Sequence, residues 1–138
     1  MFNKRSIGNF GEEIAALYLK KKKYIILEQN YQISGGEIDI IAKQNNFLVF
    51  CEVKYRESFK FGGGASAVNK SKKANIIYTA EHYLYANREN AEITSLTPRF
   101  DVIEIYPQDN DKKPNIIHNE AVDITNVRKK KAPRGLLK

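Results

Sequence analysis

The chain has 138 residues, 42% of them hydrophobic and 11% aromatic, enough for one domain with a modest core and too few for several. Its net charge of +7 is uneven: Arg128, Lys129, Lys130, Lys131, Arg134 and Lys138 stand among residues 126–138 without an acid, so residues 1–125 carry only +1. A single cysteine excludes an internal disulfide framework, and the apolar runs are strand-sized, which excludes a spanning helix. No long apolar stretch follows Lys4 and Arg5, so no secretory signal is expected and the reading is a soluble, cytoplasmic protein. The basic tail suits a polyanion, nucleic acid or an anionic surface, or serves only as a flexible solubilising end.

In chain order, residues 8–13 (GNFGEE) open a helical pattern that puts Phe10, Ile14 and Leu17 on one face. Ser6 or Asn9 is the expected cap. Glu12 and Glu13 then fall at the positive end of the helix dipole, with Lys20 to Lys23 at the negative end, so the dipole alone accounts for all six charges. Tyr24 to Gln29 reads as a strand leading through Asn30–Ser34 to Gly35 and Gly36, which permit a sharp reversal.

Next come GEIDIIA at 36–42 and FCEVKYR at 50–56, two apolar runs around the polar turn Lys43-Gln44-Asn45-Asn46. Asn tolerates the left-handed conformation of a tight hairpin, so Asn45-Asn46 is the expected two-residue turn. Counting outward sets Asp39 opposite Glu52 and Glu37 opposite Lys54, all four on one side. A four-residue loop would leave Asp39 diagonal to Glu52. Facing carboxylates repel, and oxygen ligands of this kind suit Mg²⁺, commonly held by one or two carboxylates plus water and substrate phosphate. The plainer reading is a solvated outer face with a cross-strand salt bridge.

Beyond the hairpin, Gly62, Gly63 and Gly64 predict a mobile loop, without the Lys-Ser/Thr continuation of a phosphate-binding P-loop. A helix is expected from about Asn69 to Ala86, burying Ile77, Ala80 and Leu84. Lys70, Lys72 and Lys73 crowd its first turn, where the dipole disfavours cations; a nucleic-acid phosphate relieves that conflict, and so does screening by salt. Arg88 to Pro98 reads as a polar connector, 99–106 as a strand and 115–118 as a short edge strand. A helix between the hairpin and the 99–106 strand permits a parallel crossover. His82 and His118 lack the neighbours of a zinc site and are read as surface or packing residues, and Cys51 as a buried inert thiol.

Together GNFGEEIAALYL at 8–19, GEIDIIA at 36–42, FCEVKYR at 50–56, Lys72 and RFDVI at 99–103 resemble the YraN-like family of small bacterial proteins. That family is placed in the PD-(D/E)XK nuclease superfamily, close to archaeal Holliday-junction resolvases. The resemblance spans about residues 8–105 and implies a restriction-endonuclease-like α/β fold: a helix, an antiparallel three-strand meander, a helix and a parallel strand, with flanking helices. The nuclease-like domain would cover residues 1–125, with residues 126–138 a basic tail. It implies Mg²⁺-dependent (or Mn²⁺-dependent) hydrolysis of DNA phosphodiesters, at branched or single-stranded structures, by a homodimer without a membrane partner. Carried over by position, Asp39 and Glu52 match the metal-binding carboxylates, with the Val53 carbonyl beside them. Lys54 matches the superfamily lysine, Glu12 the first-helix glutamate and Lys72 the second-helix basic residue, with Lys70 or Lys73 able to replace Lys72. Glu37 joins the catalytic set by tuning Lys54 or reaching a second metal. Arg56, Lys70, Lys72, Lys73, Arg128, Lys129 and Lys130 are the expected nucleic-acid contacts. Gln32 stands where an arginine is common, and Cys51 replaces a usual valine. The alternative is a catalytically silent nucleic-acid binder with the same fold; a third reading is an interaction protein whose tail meets an acidic partner or membrane.

Overall fold

The computed structural model describes residues 4–56, 70–108 and 113–124, without the side chains of 4–9 and 70. The glycine loop at 62–64 and the basic tail, with Arg128, Lys129 and Lys130, lie outside the described residues, as does the Lys70 side chain. The elements are α1 (Lys4–Lys21), β1 (Ile25–Ile33), β2 (Gly36–Gln44), β3 (Phe47–Tyr55), α2 (Lys70–Ala86), α3 (Ala91–Thr94), β4 (Thr97–Tyr106) and β5 (Asn115–Asn119). The strands form one sheet in the order β1-β2-β3-β4-β5. β1, β2 and β3 are an antiparallel meander, β4 runs parallel to β3, and β5 returns antiparallel along β4. This is the restriction-endonuclease-like arrangement expected from the sequence.

The β2–β3 hairpin closes as its turn chemistry demands. Gln44 pairs with Phe47, and Asn45 takes the left-handed conformation at φ 52°, so the connection is the two-residue Asn45-Asn46 turn.

Two apolar cores cover the two faces. Ala15, Ala16 and Leu19 of α1 pack on Ile40, Ala42, Val49, Cys51, Ile103 and Ile105. Ile76 and Tyr83 of α2, with Ile93 of α3, pack on Ile41, Leu48, Phe50, Phe100 and Val102. The buried thiol expected at Cys51 is found, fully enclosed.

Both helices differ from the sequence reading in start or face. α1 begins at Lys4, so Ser6 and Asn9 lie inside it rather than capping it, and Glu12 is two turns from the dipole's positive end. Phe10 and Leu17 are 53% and 60% exposed, while Ala15 and Leu19 are enclosed. The reason is close approach: a Cβ on Gly11 would stand 3.1 Å from the Tyr55 Cβ, so the helix meets the sheet through Gly11, Ala15, Ala16 and Leu19, with Ile14 packed beside them as expected, and turns Phe10 and Leu17 outward. In α2 the buried stripe is Ile76, Thr79 and Tyr83, one position from the predicted Ile77, Ala80 and Leu84, which are half-buried. The connector at 88–98 contains α3, capped by Asn90, whose side chain accepts from the Glu92 N–H at 3.1 Å.

Candidate functional site

The site forms where β2 and β3 part. Their ladder pairs Gln44 with Phe47 through Ile40 with Cys51, and one residue further the Asp39 side chain takes over, its Oδ2 accepting from the Val53 N–H at 2.8 Å. An extended residue turns its N–H and C=O to the same edge of its strand, so the Val53 carbonyl faces the same opening. Ile38 packs with the α2-side core and Ile40 with the α1-side core. Residues two apart in a flat strand share a face, so β2 turns over at Asp39. The expected juxtaposition of Asp39 and Glu52 is present in register, but the four charged residues do not form the single flat patch predicted. Glu37 accepts from Gln32 Nε2 at 3.1 Å, and Lys54 pairs with Glu52 at 3.3 Å rather than across the hairpin with Glu37.

Three carboxylates feel one another here. Burial pushes the Asp39 carboxyl up to about 7, Glu52 and Glu12 push the same way, and the Val53 hydrogen bond and Lys72 only partly oppose them. Glu12 is also raised, by burial first and then by Glu37 and Glu52, against a hydrogen bond from the Asn30 side chain. Its Oε1 is buried with no hydrogen-bond partner among the described residues. The helix dipole offered for Glu12 from sequence therefore does not explain it; α1 places it mid-helix, facing the carboxylates.

The cations come from two elements. Glu52 Oε1 receives both Lys54 Nζ at 3.3 Å and Lys72 Nζ at 3.2 Å. Burial works against the charge on Lys72, but Glu52, Asp39 and Glu37 outweigh it and hold the ammonium above its usual range. The hairpin as read from sequence paired Lys54 with Glu37 and left Asp39 and Glu52 without a cation; the structure brings two lysines to Glu52, the second delivered by α2. That delivery depends on Gly36: a Cβ there would run into the Thr79 hydroxyl and stand 3.3 Å from the Asn75 carbonyl. A glycine at the start of β2 lets the first turns of α2 lie against the strand.

Gln32, Gly35, Gly36, Glu37, Lys72 and Asn75 line a cleft of about 330 Å³ beside the carboxylates. Asn75 was missed in the sequence; its signal is the Lys72–Asn75 spacing of three, which puts both side chains on one helix face. Lys73 is half-buried in the same turn. Arg56 sits one residue past β3 and reaches Glu104 at 3.6 Å, a fully buried carboxylate that also accepts from Tyr106 at 2.7 Å.

The donor set fits Mg²⁺. Among the described residues no three His, Cys, Asp or Glu side chains converge into a metal cage, and Mg²⁺ does not ask for one, since it keeps waters and shares its shell with substrate phosphate. Two neighbouring carboxylates, a carbonyl at the strand opening and the orphaned Glu12 oxygen are hard ligands of the right kind. No helix among the described residues is long and apolar enough to cross a membrane.

A model described as "Uncharacterised protein family UPF0102" matches residues 11–105. A UPF0102 protein of Carboxydothermus hydrogenoformans is 44% identical over 113 residues, 78% of this chain and 88% of the relative. One of Caldicellulosiruptor saccharolyticus is 40% identical over 126 residues, 91% and 97% of the two chains. One of Clostridium botulinum is 46% identical over 101 residues, 73% and 80%.

Proposed function

This chain belongs to the UPF0102 family, the YraN group of PD-(D/E)XK-like proteins, and from that premise we propose that it is a metal-dependent endonuclease hydrolysing DNA phosphodiester bonds at branched or single-stranded structures. The observation that carries the reading is the crowding of buried Asp39 and Glu52 with half-buried Glu12 at a break in the sheet. Repulsion of this kind is costly to keep, and a divalent cation relieves it.

Asp39, Glu52 and the Val53 carbonyl would hold Mg²⁺ (or Mn²⁺), with Glu12 at its margin, and the ion would lower the pKa of a bound water and polarise the scissile phosphate. The rest is the work of the chain. The Val53 N–H fixes the Asp39 carboxylate. Lys54, 27% exposed and paired with Glu52, orients the attacking water and stabilises charge developing on the phosphate. Lys72 exchanges Glu52 for a phosphate oxygen as DNA enters, and Lys73 and Arg56 extend the positive track. Glu37 lines the cleft beside Lys72 and either tunes Lys54 or reaches a second metal. The working form in this proposal is a cytoplasmic homodimer, as in the resolvases it resembles.

The test incubates the protein with linear, flapped and four-way DNA in Mg²⁺, Mn²⁺ or chelator. Cleavage in either metal and none in chelator is expected. Glu52→Ala and Lys54→Ala abolish cleavage and largely spare DNA binding; equal loss of both contradicts these roles. A second reading, a silent nucleic-acid binder, is favoured by the double lysine contact on Glu52 Oε1, which already neutralises that carboxylate. It predicts steep salt dependence of binding and no metal-dependent product.

A further inference from the structure

Lys72 and Glu37 belong to two compartments at once, the carboxylate cluster and the cleft beside it. We propose that this cleft receives the base of an unpaired nucleotide adjoining the scissile phosphate, and that Asn75 reads the base edge by accepting from an exocyclic amino group. Its position next to the scissile phosphate rests on the nuclease reading; nucleotide binding itself does not.

Four observations support the assignment. The cleft opens one side chain away from the reacting centre, because Lys72 on its wall is bonded to Glu52 at 3.2 Å. Its floor is backbone: Gly35, at φ 90° and without a side chain, gives a flat ring room to approach, and Gly36 beside it is closed on its α2 side by Thr79. The Asn75 Oδ1 is buried and has no hydrogen-bond partner among the described residues. Buried amide oxygens are almost always satisfied, so an enclosed one without a partner, on a residue that lines the cleft, is a place for a ligand donor once the amide turns toward the cleft. Finally, the Asn75 backbone is fixed. Its carbonyl accepts from the Thr79 hydroxyl at 2.7 Å, and Thr79 packs directly on Gly36, so the helix turn that carries the amide is pinned to β2.

Polarity favours a base over other occupants. Gln32, Glu37, Lys72 and Asn75 put amides and both signs of charge around the glycine floor, and Asn pairs with adenine through just such an acceptor and donor edge. At about 330 Å³ the space lies at the lower end of small-molecule pockets, roughly 300 Å³ and upward. A base stacked in a duplex cannot enter a concave site without leaving the stack. The substrate class is therefore DNA with an unpaired nucleotide at the cleaved position, such as a single strand, flap or junction arm.

The experiment measures binding in chelator, where no cleavage intervenes, by fluorescence anisotropy with a labelled oligodeoxyadenylate. The comparison strand has the same length with abasic sites. Wild type is expected to bind the adenine strand about tenfold more tightly, the worth of one buried hydrogen bond with its stacking. Asn75→Ala should lose this preference and bind the abasic strand as wild type does. A strand with purine, which lacks only the amino group, should behave toward wild type as adenine does toward Asn75→Ala; this arm needs no variant to fold. Equal weakening of Asn75→Ala on both strands, or equal binding of purine and adenine by wild type, overturns the assignment. Discrimination without any Mg²⁺-dependent product keeps the cleft and removes the nuclease; cleavage without discrimination does the reverse.

Discussion

Asp39 and Asp101 are both buried aspartates of one sheet, and their surroundings drive them in opposite directions. Burial works to raise Asp101, but His118, Arg99 and the Ala121 N–H reverse it and hold the carboxyl below the usual range. Its oxygens accept from Arg99 at 2.9 and 2.8 Å, from His118 Nε2 at 2.7 Å and from Ala121 at 3.1 Å. The same guanidinium continues to Gln44 and Tyr24, and the far side of His118 meets the Tyr18 hydroxyl at 3.1 Å. Among the described residues Asp39 accepts from one backbone N–H and otherwise faces mainly like charge. This fold is thus able to satisfy a buried carboxylate from its own side chains. That it does so at Asp101 and not at Asp39 marks the second as a place completed by something else.

The sharpest way to break the contrast is to remove each charge. Asp101→Ala takes from Arg99, whose side chain is 8% exposed, its buried counter-charge, leaving the exposed Glu120 at 3.6 Å as its one carboxylate partner among the described residues. A loss of about 3–5 kcal/mol is expected in urea unfolding. Asp39→Asn keeps an acceptor for the Val53 N–H and removes a repulsion, so at pH 8 without divalent metal it should leave stability unchanged or raise it by ~1 kcal/mol or more. A large loss at Asp39 would make the two aspartates alike and undo the comparison.

The pH dependence should carry the same opposite signs. Asp101 is depressed in the fold, so its contribution is present above the unfolded value near ~3.9 and disappears as pH falls below it. Asp39 is raised to about 7, so the folded state holds a proton that the unfolded chain has released, and stability declines as pH climbs from about 4 to 7. That decline should amount to a few kcal/mol, at roughly 1.4 kcal/mol for each pH unit over which only the folded chain keeps the proton, and should shrink in Asp39→Asn to the part contributed by Glu12, whose carboxyl is also raised. A flat profile between those limits in metal-free wild type would contradict the crowding described at the site.

How much of this contrast the sequence discloses follows from distance along the chain. The Asp39–Glu52 adjacency is legible because the Asn45-Asn46 turn between them is local and sets the register. The face of α1 is not legible, because large apolar residues draw the eye while Gly11 and Ala15 make the contact. The Asp101 network is hidden entirely: Tyr18 and His118 are 100 residues apart, and an isolated histidine gives no sign of its partner. Lys72 reached the site in the sequence only through a family resemblance, and the structure supplies the physical reason, the missing side chain at Gly36.

Gly36 tests whether the two regions are separable. Gly36→Ala forces its methyl into the Thr79 hydroxyl, and overpacking of this kind costs about 1–3 kcal/mol. The displacement falls on α2 and therefore on Lys72 and Asn75, while Asp101, reached through β4 and β5, is spared. The expected result is weaker DNA binding with the His118 resonances unchanged in NMR spectra. Adding Thr79→Ala removes the colliding oxygen and should restore part of the stability; failure to do so would assign the requirement for glycine to the Asn75 carbonyl, 3.3 Å from that methyl.

The smallest effect is the most direct readout of what completes the Asp39 end. A ligand that binds only the folded chain stabilises it by RT ln(1 + [L]/Kd), about 1.4 kcal/mol at ten times Kd. For a chain of this length that is a rise of several degrees in Tm. Mg²⁺ should produce it in wild type and in Asp101→Asn, and should fail to do so in Asp39→Asn and Glu52→Gln. Because the ion competes with the proton held on Asp39, its affinity should strengthen as pH rises through about 7. Lys72→Ala separates the two outcomes that remain. If the ammonium pair on Glu52 is a placeholder that the ion displaces, removing one lysine tightens Mg²⁺ binding. If the pair is the finished state of the site, the variant gains no affinity for Mg²⁺, and the Asp39 end is as self-sufficient as the Asp101 end.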